Sequence, residues 1–283
     1  MLSVSHYEGV SFASGEALGY QPEFQSSAGR IISISDVWRA ATRIAPYIKR
    51  TPTLVDTFLC ERLGTNVYLK HELLQRTGAF KVRGAFNRML QLSGDERARG
   101  VVAVSAGNHA QAVAYAAKVL GLRSVILMPE NTPDNYVQKT LKHGAEVRFF
   151  PSLAWAFDSA SSFESEGYTY IHPFDDRDVI AGQGTIGLEI LEDVPDVTDV
   201  IVSIGGGGLS GGVACAIRSL RPDVNVWGVE TRGAHSMSAA LDAGEVVELS
   251  EITSIARTLG AARVGALNFE LAKEYLSGVT VVD

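Results

Sequence analysis

From about residue 33 onward, short apolar runs alternate with segments whose apolar positions recur at helical spacing. Ser33 to Asp36 supplies N-cap candidates, and Val37, Ala40, Ala41 and Ile44 share one helical face behind them. NVYLK (66–70) reads as a strand and KVRGAFNRMLQL (81–92) as a helix. VVAVS (101–105) is a fully apolar strand, and HAQAVAYAAKVLG (109–121) is a helix closed by glycine. The alternation continues through the strand SVILMP, the helix DNYVQKTLKHG, the strand AEVRFF, the helix AWAFDSASSF and the strand YTYIHP. It goes on through the helix GQGTIGLEILEDV, the strand DVIVSIG, the helix SGGVACAIRSL and the strand NVWGVE. The remainder is less regular, with a helix at ALNFELAKEYLSG and a closing strand at VTVVD (279–283).

Such alternation predicts an α/β protein with mainly parallel sheets covered by helices on both faces. Ligands of such sheets bind beyond the carboxyl ends of the strands. Three segments at strand ends are chemically unusual: the one preceding Lys81, Ser105–His109 and Gly205–Gly208. All three could face one cleft. Residues 1–30 are rich in Ser and Gly without periodicity, and are expected to form a mobile tail.

Composition removes several classes of function. The 283 residues leave room for one or two domains. A net charge of −7 gives no electrostatic footprint for nucleic acid. No apolar run reaches membrane-spanning length, and the N-terminus lacks a basic-then-apolar secretion signal. Cys60 and Cys215, the only cysteines, stand outside any metal-ligand spacing and fit reduced thiols in a cytoplasmic protein.

VSIGGGGLSGG (202–212) joins an apolar strand to a helix. Its glycines let backbone N–H groups approach an anion, and the helix N-terminus adds partial positive charge, so a phosphate is the natural guest. Gly206, Gly208 and Gly211 also satisfy GxGxxG, with Glu230 at the end of the next strand, which leaves a nicotinamide dinucleotide open at this point. VSAGNHAQA (104–112) gathers Ser105, Asn108 and His109 at a second helix N-terminus. Its amides could hold a carboxylate, although Ser and Asn also cap ordinary helices. Lys81 follows Thr77-Gly78-Ala79-Phe80, a tight turn into a buried helix, where lysine is out of place on solvation grounds.

ELLQRTGAFKVRGA (72–85), SAGNHAQAVA (105–114), HPFDDRDVIAGQGTIGLEI (172–190) and SIGGGGLSGGVA (203–214) occur in this order. Together they resemble the fold type II pyridoxal-phosphate enzymes, namely threonine and serine dehydratases and serine racemases, over about residues 33 to 245. The resemblance implies a tryptophan synthase β-like architecture of two domains, each with a mainly parallel twisted sheet. The larger would combine residues 31–99 with 173–283, and the smaller, 100–172, would move to close over substrate, with Gly182 and Gly184 as hinges. It implies pyridoxal 5'-phosphate as cofactor. Lys81 would bond covalently to its aldehyde, with Phe80 as the lysine's neighbour and Asn108 facing the ring hydroxyl. Gly205, Gly206, Gly207, Gly208 and Leu209 would cradle the phosphate, and Glu230 joins this set as a further cofactor-side residue. Ser105, Ala106, Gly107, Asn108 and His109 would form the loop that binds the substrate carboxylate.

The activity implied is elimination from a β-hydroxy amino acid such as L-threonine or L-serine, giving a 2-keto acid and ammonia. The expected partners are that small amino acid and a second copy of the chain in a homodimer. Departures refine the expectation. Ala106 stands where racemases carry a serine acid/base, which disfavours racemisation. Glu230 and Ala234 match two ligands of the racemase metal site, but Ser236 replaces its aspartate, so no metal is expected. In ITSIARTLGAARVG (252–265), Arg257 and Thr258 replace an acidic-glycine pair, and Ala261 and Ala262 replace hydroxyls. Arg257 could pair a carboxylate of a larger or more acidic substrate, such as 3-hydroxyaspartate or a hydroxyectoine-derived acid. Family members continue a few dozen residues past VTVVD, so the chain is expected to be truncated there. The rivals are β-replacement with the same cofactor, a nicotinamide-binding protein, and an inactive binding protein.

Overall fold

The computed structural model describes residues 31–283. The expectation for residues 1–30 lies outside them. Helix α1 (Ile34–Ile44) starts with a capping box, in which Ser33 and Asp36 each accept the other's backbone N–H. Its Val37, Ala40, Ala41 and Ile44 are buried as the spacing predicts. β1 (Thr53–Val55) and β2 (Tyr68–Lys70) pair antiparallel on either side of α2 (Thr57–Leu63). α3 (Lys81–Met89) and α4 (Gly94–Arg99) follow.

A four-stranded sheet then forms from β3 (Val101–Val104), β4 (Ser124–Pro129), β5 (Glu146–Phe150) and β6 (Thr169–Tyr170). Its order is β5-β4-β3-β6 and every pairing is parallel. α5 (Asn108–Leu120), α6 (Asp134–Lys142) and α7 (Leu153–Ser165) make the connections. Alternate residues sort to the two faces: Val101 and Ala103 join the core on the α5 side, Val102 and Val104 the one on the α7 side. This is why β3 reads as a continuous apolar run. The chain runs outward from β3 through β4 to β5 and then returns to β3's other flank as β6. The carboxyl end of β3 is therefore a topological switch point, and Ser105–His109 begins there.

α8 (Arg177–Asp193) leads into a second parallel sheet, β7 (Asp199–Ser203), β8 (Asn225–Thr231) and β9 (Gly278–Val282), in that order. α9 (Gly208–Leu220), α10 (Ser236–Ala243) and α11 (Ala266–Tyr275) complete the elements. α8 begins before the predicted Gly182, because Asp176 caps it by accepting from the N–H groups of Asp178 and Val179. Gly182 and Gly184 lie inside this unbroken helix, which corrects their reading as hinges. They are glycines because neighbours touch the helix there. A Cβ on Gly182 would stand 2.7 Å from Arg83 O and from Gly84 Cα, and one on Gly184 2.8 Å from Gly212 O. α3 and α9 thus lie directly against α8. No helix among the described residues is long and apolar enough to cross a membrane.

Candidate active site

Five segments meet at the carboxyl ends of the two sheets. Lys81 is the first residue of α3, reached through Gly78 in the left-handed region at φ +75°. Its Nζ donates to Pro173 O at 2.7 Å and lies 5.2 Å from the Phe80 ring centre. Burial without a carboxylate partner pulls the Lys81 amine down to about 8. The solvation puzzle of the sequence is thereby a property of the site: this lysine holds a neutral fraction near physiological pH.

The glycine loop runs from β7 into α9. Ile204 N–H still pairs with Val229 O, and Gly207 then turns left-handed at φ +94°. A Cβ on Gly206 would lie 2.2 Å from Phe174 Cγ, on Gly207 2.6 Å from Asn268 Cβ, and on Gly208 2.8 Å from Phe174 O. Gly205 is closed in by Leu259, whose carbonyl oxygen a Cβ at Gly205 would meet at 3.1 Å. The loop is shaped by contact as well as by turn geometry. The first-turn amides of α9, including Leu209, have no intrahelical partner. Asn268 buttresses the loop: its Nδ2 donates to Phe174 O and Gly206 O at 2.9 Å each, and its Oδ1 is buried without a partner among the described residues. Gly265 N–H donates to Gly206 O, and Asp175 accepts from Ala266 and Leu267.

On the other side, Gly107 is the N-cap of α5 and donates to Ser105 Oγ at 3.1 Å. Ser105, Ala106, Gly107 and Asn108 are half-buried along this turn. The His109 ring points inward instead, with Nε2 2.8 Å from Ile171 O and Nδ1 buried without a partner among the described residues. Burial, with the neighbouring Lys81 charge, drives His109 down to about 3. What His109 presents to a ligand is thus its backbone N–H, not an acid or base. His172 lies beside both groups. Its Nδ1 accepts from Phe174 and Asp175 N–H at 3.2 and 2.7 Å, which leaves the proton on Nε2. Burial chiefly, then the charges of Lys81 and Arg263 against that of Asp175, sets His172 at about 4.

Two predicted residues stand differently. Glu230 is fully buried, and its oxygens accept from Met237 and Ser238 N–H at 2.8 Å each, capping α10. Burial raises its pKa against those bonds, and both of its oxygens are engaged by the first turn of α10. Arg257 is exposed on the short 3-10 turn Arg257–Leu259, whose last carbonyl abuts Gly205, so it sits at the rim. His172, Pro173 and Phe174 lie in one of the segments that carried the resemblance but had no role assigned to them, and Asn268 enters the site unannounced. HPF and the Asn268 helix were visible as sequence, but not their contact with the glycine loop.

A neutral-capable lysine, a cradle that a single Cβ would fill and two amide-bearing helix starts fit a group with an aldehyde and a phosphate. This is the signature of a pyridoxal-phosphate protein. The chain belongs to the pyridoxal-phosphate dependent enzymes, whose profile matches residues 44–283. It is 43% identical over 89% of its length to an L-threonine ammonia-lyase of Thermotoga maritima, of which it spans 64%. It is 40% identical over the same share to the catabolic L-threonine dehydratase of Escherichia coli, of which it spans 77%. Among solved structures, maize serine racemase superimposes with a TM-score of 0.87 at 35% identity, covering 89% of this chain and 77% of that one. The processed threonine deaminase isoform 2 of Solanum lycopersicum gives 0.82 at 36%, covering 88% and 74%.

Proposed function

We infer that this protein is a pyridoxal-phosphate ammonia-lyase that eliminates water from L-threonine, L-serine or a close β-hydroxy relative. The observation that carries the reading is Lys81, desolvated to about 8 beside the glycine cradle. When bound, the cofactor supplies the aldehyde and the electron sink that make an amino acid's α-proton labile. The amides of Gly206 to Leu209 would hold its phosphate at the α9 N-terminus, and Asn108 would face its ring hydroxyl. The Ser105–His109 turn would bind the substrate carboxylate through the Ser105 hydroxyl and the free amides of α5. Lys81 Nζ would take the α-proton as the Cβ–O bond breaks, and a proton returned from Lys81 Nζ to the departing β-hydroxyl would let it leave as water. The released enamine then hydrolyses to keto acid and ammonia.

Ala106 carries no proton at the position where the racemases that this chain resembles carry a serine acid/base, which favours elimination over racemisation. Movement of residues 100–172 over the bound substrate belongs to the same reading, as does Arg257 pairing a second carboxylate from the rim. A cytoplasmic homodimer also belongs to it. Phe58, Leu63 and Leu73 are 67, 62 and 65% exposed beside the β1–β2 hairpin, and α2 buries none of its residues, so a second copy is the cover we infer. Sedimentation should give the dimer mass; a monomer mass removes that part.

The test of the activity is product analysis with L-threonine, with and without an added thiol. Keto acid and ammonia in equal amounts, unaffected by thiol and absent in Lys81→Ala, is the expected result. A thiol-dependent substituted amino acid would make the protein a β-replacement enzyme instead.

A further inference from the structure

Nothing at the start of α3 itself explains why Lys81 stands where it does. The helix has no side-chain cap, the residue before it is Phe80, and Thr77 Oγ1 just upstream is buried without a partner among the described residues. The fixed point lies two residues further on. Successive helical residues turn by about 100°, so Arg83 projects to the side of α3 away from Lys81. It is one of the largest fully buried side chains of the molecule.

All of its N–H groups are used. Nε and Nη2 donate to the two oxygens of Glu72 at 2.9 and 2.7 Å. Nη1 and Nη2 donate to the two oxygens of Glu189 at 2.6 and 3.0 Å, and Nη1 also to Thr185 Oγ1 at 3.1 Å. One guanidinium therefore grips two carboxylates in fork geometry, one on the turn leading to Lys81 and one on α8. Each carboxylate is itself fixed. Glu72 accepts from Thr51 Oγ1 at 2.6 Å, and Glu189 pairs with Lys70 Nζ at 2.8 Å. Lys70 also donates to Thr51 O at 2.7 Å and Asp193 at 3.1 Å. Further along α3, Gly84 N–H and Asn87 Nδ2 donate to Gln183 Oε1 and Asp178 O of α8 at 3.3 and 2.7 Å.

A buried ion pair is weak as a source of stability, because apolar side chains of equal volume often serve as well. What apolar packing does not do is fix distance and angle. We propose that Arg83 is a positioning residue: its double fork to Glu72 and Glu189 sets the placement of α3 against α8 and so holds Lys81 Nζ at the cleft. The proposal rests on Lys81 being the cofactor lysine. The groups that face Lys81 across the cleft, His109 and His172, are neutral and lie outside the network, so Arg83 acts through the helix and not through its charge.

The test compares Arg83→Lys with Ile126→Ala, a core substitution in β4 chosen to cost similar thermal stability. Two quantities are read on apoprotein. One is the dissociation constant of pyridoxal 5'-phosphate. The other is the pH midpoint of Lys81 labelling by limiting acetic anhydride, followed by peptide mass spectrometry. Lysine keeps the charge but cannot fork to both carboxylates. The expected result is a loss of about ten-fold or more in cofactor affinity, with the labelling midpoint moved up toward the ordinary lysine value. Ile126→Ala should leave both quantities unmoved. Folded Arg83→Lys with wild-type affinity and midpoint overturns the proposal and leaves Arg83 a purely structural residue. If that variant does not fold, Thr185→Val, which removes one acceptor, should move both quantities in the same direction by less, and no movement overturns the proposal. Wild-type apoprotein that fails to bind the cofactor overturns the reading of the site, and this inference with it.

Discussion

Lys81 owes its low proton affinity to burial alone, whereas the two histidines beside it answer to burial and to its charge. That difference has a consequence for pH. His172 and His109 are neutral in the folded protein down to about 4 and about 3, while the unfolded chain binds their protons near 6.5. Between those values the unfolded state holds more protons, so stability is present above 6.5 and is lost as pH falls. We expect the urea midpoint of the apoprotein to drop from pH 6.5 to 5, by up to about 1.4 kcal/mol per pH unit per histidine. His172→Asn should remove its share of that slope. A flat midpoint across the window contradicts the burial of both rings. The residues legible in the sequence here were those whose neighbours in the chain carry the signal: Lys81 behind its turn, and the run of glycines. Phe174, Asn268 and Arg83 were not, because partners that fix them lie far away in sequence. His172, although its own bonds are local, reaches the site only through the packing of its segment against Lys81 and the glycine loop. Asn268 meets Gly206 across 62 residues, and Arg83 meets Glu189 across 106.

At the scale of elements, every long helix and every strand with a buried run was legible, since burial imposes the period that the sequence displays. Most of the elements that escaped are short and exposed; the exception is α10, which buries Ser236, Met237 and Ala240 without a periodic run long enough to show in the sequence. α2 and α4 bury no residue, and β1 is three residues with an exposed outer end. They are set by their ends: Asp56 caps α2, and Ser93 with Glu96 forms a capping box on α4, a Ser-x-x-Glu signal present in the sequence. α8 shows the converse. Its glycines looked like flexible points and are in fact places where α3 and α9 come close. Gly182→Ala should therefore destabilise. The added methyl meets backbone atoms that cannot turn aside, costing about 1–3 kcal/mol, against at most about 1 kcal/mol gained in helix propensity. A lowered urea midpoint is the expected readout. Unchanged stability with slowed turnover would restore the hinge.

At the scale of the whole molecule, one cleft is assembled from parts that have no local reason to meet. The switch point of one sheet supplies the α5 turn, the other sheet supplies the glycine loop, and Arg83, Glu72 and Glu189 bind α3 between them. The parallel sheets covered by helices were legible from alternation alone. The cleft was legible only as a set of unusual strand ends, because which ends converge is decided by packing. The account stands or falls on whether that convergence puts the cofactor on Lys81. The direct measurement is to load the protein with pyridoxal 5'-phosphate, reduce it with borohydride, digest it and locate the phosphopyridoxyl group by mass spectrometry. The account predicts one modified site, Lys81, at close to one group per chain. Modification at another lysine such as Lys70, or a scatter of partial labels with Lys81 free, would contradict it.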